Sequence, residues 1–112
     1  MIQKDLKQLR EYYATLRELV IHHSGGWDDV ATRTEVQRLC NAGISALDDP
    51  ECRERLRSVM TQAEDLFSHD GHHKWARKNM SGADYLRLQM LIALEALNTR
   101  LLFIDTLRHR AA

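Results

Sequence analysis

Asp48-Asp49-Pro50-Glu51-Cys52, near the middle of the chain, spells a helix start residue by residue. The Asp49 carboxylate can accept the free N–H groups of a first turn. Pro50 has no N–H to leave unbonded there, and Glu51 meets the positive end of the helix dipole. Downstream, Cys52, Leu56, Val59, Ala63 and Leu66 recur at spacings of 4, 3, 4 and 3, and Met60 and Phe67 widen that stripe. This is the period of a helix burying one face, and it ends near Ser68, before Asp70-Gly71.

Working upstream, Val36, Leu39, Cys40, Gly43, Ile44 and Leu47 form a second apolar stripe. Its helix is predicted to begin within Asp28 to Thr32, capped by Asp28 or by a Thr32-x-x-Glu35 capping box. Gly43 costs that helix about 1 kcal/mol relative to alanine, which points to close approach of another helix there. Further upstream, Ile2, Leu6, Leu9, Tyr13, Leu16 and Val20 make a heptad seam flanked by Tyr12 and Leu19. Ser24-Gly25-Gly26 is the expected stop for that first helix, after about His23.

Downstream, residues 69–80 are the least regular stretch, with at most a short helical turn from His72 to Lys78. Ser81-Gly82-Ala83-Asp84 starts a last helix that meets no breaker before about Arg108 and would be about 39 Å long. Tyr85, Leu86, Met90, Ile92, Ala93, Ala96, Leu97, Leu101, Phe103, Ile104 and Leu107 cover about half its circumference. Leu91 and Leu102 fall on the opposite arc with Arg87, Asn98 and Asp105. The predicted fold is all-α, a four-helix up-down-up-down bundle with a long, strongly apolar C-terminal helix. It forms a single domain over 1–112.

The chain has 112 residues, 16 Lys plus Arg and 16 Asp plus Glu, so its formal net charge is zero with neutral histidines. That balance argues against a nucleic-acid protein driven by bulk charge. It divides into an acidic stretch over 24–49, net −3, and a basic stretch over 69–81, net +2. The most apolar run, Tyr85 to Ile104, carries Arg87, Gln89, Glu95, Asn98 and Arg100, too many polar groups for a membrane span. The first residues lack the apolar run of a signal peptide, and Cys40 and Cys52 are expected as buried reduced thiols. Both features lead us to expect a cytoplasmic location.

In an up-down bundle the ends of the first and third helices share a pole. His22, His23, His69, His72 and His73 would gather there with Trp27, Asp28, Asp29, Asp70 and Trp75. Imidazole and carboxylate suit zinc or iron, so the five histidines are the candidate metal ligands. Polar loop residues around tryptophans that plug the core end are the plainer account. His72-His73-Lys74-Trp75-Ala76-Arg77-Lys78 mixes cations with an aromatic, which makes Lys74, Arg77 and Lys78 candidate phosphate or nucleic-acid contacts. No histidine is followed at three and four residues by the lysine and glycine of phosphotransfer domains. No Gly-rich phosphate loop, Gly-x-Ser-x-Gly or His-Glu-x-x-His occurs. No enzyme activity and no cofactor are therefore expected.

The apolar surface of the last helix exceeds what one neighbour can cover, so this helix is either the central one of the bundle or its face extends into a subunit interface. The expected function is accordingly protein–protein interaction, as a homodimeric regulator or adaptor. Leu97, Leu101, Ile104 and Leu107 are the expected self-association residues, with Leu91 and Leu102 beside them. The alternative is a metal- or small-ligand-binding bundle that uses the histidine-rich pole.

Overall fold

The Asp49 cap forms as its sequence dictates. In the computed structural model, which describes residues 2–24 and 26–111 and side chains over 5–24 and 26–110, Asp49 Oδ2 accepts the Cys52 N–H at 3.0 Å. Pro50 occupies the first turn of the helix Pro50–Leu66. The described residues form five helices and no strand: α1 (Ile2–His22), α2 (Val30–Ala46), α3 (Pro50–Leu66), α4 (His69–Lys74) and α5 (Gly82–Ala111). Ile2, the first member of the predicted seam, lies outside the described side chains, and Gly25 outside the described residues.

Helix α2 starts within the expected interval but on a different cap, and two other boundaries shift, each for a local reason. Helix α2 is capped by Asp29, whose carboxylate accepts both the N–H and the hydroxyl of Thr32. Thr32 thus donates to a cap instead of serving as one, and Glu35 pairs with Arg38. The segment expected to be irregular contains α4, placed three residues before the predicted turn because the Ser68 hydroxyl accepts the Gly71 N–H. Helix α5 has 30 residues and, with no proline or glycine after Gly82, runs on to Ala111. At about 1.5 Å per residue it spans about 45 Å, most of the 50 Å long axis of the molecule.

Helix α1 packs on α2 and α5, and α3 packs on α2, α4 and α5, while the backbones of α1 and α3, and of α2 and α5, stay apart across the core. Side-chain pairs give the directions. Arg10 meets Asp105 at 3.1 Å and Arg17 meets Glu95 at 3.3 Å, so α1 and α5 are antiparallel. Arg100, late in α5, bonds Asp49 at the start of α3 at 2.8 Å, while Gln62 late in α3 shares a cleft with Leu86 and Gln89. That pair is antiparallel as well. The core lies between these helices: Leu9, Leu16, Val36, Cys40, Leu56, Val59, Met90, Leu94, Leu97 and Leu101 are all fully buried or within 1% of it. Gly43 sits where three helices converge, facing the methyl groups of Leu56 and Leu9. Cys40 and Cys52 are buried and unpaired, and loss of solvent pushes both thiols up to about 12. Among the described residues no helix is long and apolar enough to cross a membrane.

Candidate functional site

Five histidines do gather at one end, but in two separate clefts. His22 and His23 line an open cleft of about 330 Å³ with Glu18, Asp29 and Thr32. His69, His72 and His73 line another, of about 380 Å³, with Trp27 and Gly82. Trp27 and His69 meet edge to face, their ring centroids 5.6 Å apart. Among the described residues no group of three or more His, Cys, Asp or Glu side chains is arranged to hold a metal ion.

His23 departs most from the sequence expectation. Its neighbour His22 is exposed and pairs with Glu18, whereas the His23 side chain is 1% exposed and packs edge-on against Phe67. Arg87 Nη1 lies 3.2 Å from His23 Nδ1. A guanidinium can only donate, so Nδ1 accepts and the ring proton sits on Nε2. Nε2 has no hydrogen-bond partner, and the Asp29 carboxylate oxygen Oδ2 lies 3.6 Å from it. In this state neither ring nitrogen has a free lone pair for a metal. The ligand set proposed from sequence thus loses the member most enclosed by the fold.

Burial, then the charge of Arg87, lowers the His23 pKa, with Asp29 opposing and His72 adding to the fall. The unfolded imidazole keeps its ordinary value of about 6.5. Below that pH the unfolded chain takes a proton that folded His23 resists, so stability falls as pH drops from 6.5 toward the folded pKa. The carboxylates of Asp29, Glu35, Asp49 and Asp84 are held below their ordinary values, chiefly by hydrogen bonds from Thr32, Arg38, Arg100 and Arg87. They lose their contribution only at lower pH, Asp49 on approaching about 2. Urea unfolding should therefore show lower stability at pH 5 than at pH 7.5, with a smaller difference in His23→Gln. An unchanged difference in that variant would rule His23 out as the cause.

The basic segment is tied into the fold. Trp75 Nε1 donates to Asp65 at 2.7 Å, and its ring stacks on Tyr85 at 5.3 Å and 14°. Arg77 lies 4.5 Å over Tyr85 and Lys74 Nζ lies 5.2 Å from the Trp75 ring centre. The aromatic offered by the sequence for stacking on a base is thus engaged within the chain, as are two of the three cations. Lys78 is exposed and outside this stack.

The six expected interface residues separate by depth. Leu97 and Leu101 are fully buried in the chain's own core, where α5 meets the other helices, so they are not available to a second chain. Leu91 and Ile104 are partly buried against that core. Leu102 and Leu107 are about half exposed, at 52% and 49%, and they are joined by Leu88 (43%), Ile92 (54%) and Phe103 (51%). Five of the nine large exposed apolar side chains among the described residues therefore lie on α5. The sequence wheel had put Ile92 and Phe103 on one broad apolar arc with Leu97 and Leu101 and had overlooked Leu94, which is fully buried. Only the centring of the wheel on Met90, Leu94, Leu97 and Leu101 separates inner from outer face, and that centre is hard to see in a helix apolar nearly all round.

Comparison with protein-family models, curated proteins and solved structures gives no match. The functional reading therefore rests on the chain's own residues.

Proposed function

We propose that the chain is an up-down-up-down four-helix bundle, with α4 as a side turn, that acts in the cytoplasm by protein–protein contact as a homodimeric regulator or adaptor. The antiparallel pairings of α1, α3 and α5 support the bundle, and the buried, unpaired cysteines suit a reducing compartment. The observation that carries the interaction reading is the outer face of α5. Leu88, Ile92, Leu102, Phe103 and Leu107 stay exposed on a helix whose opposite face already fills the core. Glu95 and Thr99 interrupt that face between Ile92 and Leu102, but exposed apolar residues gathered on one helix face mark contact with another protein more often than single scattered ones do.

Sedimentation velocity at micromolar concentration is expected to give a dimer. Phe103→Asp should shift it to monomer with the helical circular dichroism unchanged, because Phe103 is not part of the core. A wild-type chain that sediments as a monomer over that range refutes the reading.

A further inference from the structure

Four of the six histidines have a ring nitrogen engaged within the chain: His22 by Glu18, His23 by Arg87, and His72 and His109 by the carbonyls of Leu66 and Asp105. The other two, His69 and His73, are exposed. They stand one turn apart on α4 with ring centroids 6.0 Å apart. The two imidazoles left over are therefore neighbours.

We infer that His69 and His73 form a two-nitrogen clip for a divalent late transition ion such as nickel, zinc or copper(II). Imidazole is the usual side-chain ligand for these ions. Histidines at i and i+4 of a helix present their rings on one face. A nitrogen ligand binds at about 2.0–2.1 Å, which places each ring centre about 3.2 Å from the ion. Two rings sharing an ion then have centres about 4.5 Å apart in right-angled coordination and about 6.4 Å apart in linear coordination. The observed 6.0 Å falls inside that range, and exposed side chains can turn their nitrogens toward each other.

The surroundings favour an ion that takes nitrogen. His69, His72 and His73 line a cleft of about 380 Å³ whose other walls are Trp27, Ser81 and small apolar residues. A hard ion such as calcium finds no carboxylate among those walls. The nearby cations are turned elsewhere, with Lys74 and Arg77 both placed against the Trp75 ring. Asp70 Oδ1 lies 3.8 Å from His69 Nδ1. A carboxylate beside Nδ1 favours the proton there, as in carboxylate–histidine–metal arrangements, and leaves Nε2 as the ligand.

No third His, Cys, Asp or Glu among the described residues completes a cage, so water fills the remaining positions. Such a clip holds an exchangeable ion, unlike the closed four-ligand sites that staple a fold together. It needs no second copy and is independent of the homodimer reading.

Trp27 supplies the readout, because its ring meets His69 edge to face at 5.6 Å and nickel quenches a neighbouring indole. Nickel chloride added to the 112-residue chain, produced without a histidine tag, should quench its fluorescence saturably in the micromolar range, at one ion per chain. Calcium chloride should not. His69→Gln and His73→Gln should each weaken nickel binding by at least about tenfold, since loss of even a group supporting a ligand costs that much. Both side chains are exposed, so the helical circular dichroism of the variants should match the wild type. His22→Gln, which alters the exposed histidine of the other cleft, should bind nickel as the wild type does. Absence of saturable quenching, or equal affinity in the wild type and both variants, overturns the clip. Loss of binding in His22→Gln alone places the ion in the other cleft and overturns it as well.

Discussion

Leu101→Asp is expected to unfold the chain at room temperature, with loss of the cooperative urea transition and most of the helical signal. Leu101 is fully buried in the single chain. Removing a buried leucine side chain costs about 2–5 kcal/mol, and an aspartate placed there adds the cost of burying a charge with no partner, several kcal/mol more. Domains of this size are stable by about 5–15 kcal/mol in total, so the two terms together consume most or all of that margin. Leu102→Asp provides the internal comparison. Leu102 is the next residue along and half exposed, so its replacement should change monomer stability by no more than about 1 kcal/mol. Equal stability of the two variants would mean that α5 does not pack with its Leu97/Leu101 face inward.

That contrast shows how much of the fold could be read from residues alone. Helix α3 was legible in full because its cap, its proline and its narrow apolar stripe agree, and Cys52, Leu56, Val59, Ala63 and Leu66 are all buried. Helix α1 was legible for the same reason, with Leu6, Leu9, Leu16 and Val20 inward. Helix α5 was legible as a helix but not as an oriented one. When apolar residues occupy most of the circumference, periodicity alone does not decide which arc faces the core. The inward face is set by tertiary contacts such as Arg10 with Asp105 and Asp49 with Arg100, which join residues far apart in sequence.

The histidine-rich pole was legible as a place and not as chemistry. Sequence spacing brought the histidines to one end, as the Trp27–His69 contact shows, although the two groups line separate clefts. It could not distinguish His22 from His23, which are adjacent in the chain and opposite in burial. Nor could it foresee that Arg87, 64 positions away, would take up the Nδ1 lone pair. Charge separation survives in a similar way. The basic stretch over 69–81 is real, but two of its cations are placed over the Trp75–Tyr85 stack.

Gly82→Ala is the second substitution with a large expected effect, and it tests how α4 is held. No glycine among the described residues has a positive φ, so the requirement here is for space and not for an unusual backbone. A Cβ on Gly82 would overlap the carbonyl of His72, and one on Gly71 would overlap the carbonyl of Asp65. Both obstacles are backbone, which cannot swing aside as a side chain can. Helix α4 would have to withdraw from α3 and α5, breaking the Trp75–Asp65 hydrogen bond and the Trp75–Tyr85 stack. A hydrogen bond to a charged group contributes about 1.5–3 kcal/mol and an aromatic pair about 0.5–1.5 kcal/mol, so a loss of about 3 kcal/mol is expected. Gly43→Ala is the control, because its Cβ would meet only side-chain methyls, 2.8 Å from Leu56 and 3.0 Å from Leu9. A helix gains about 1 kcal/mol from that exchange, which offsets the crowding and leaves a net change of about 1 kcal/mol or less. Urea unfolding followed by tryptophan fluorescence separates the cases: Gly82→Ala should be much less stable, with the Trp75 environment altered before unfolding begins. A Gly82→Ala chain as stable as Gly43→Ala, with native fluorescence, would show that α4 is not seated against the start of α5.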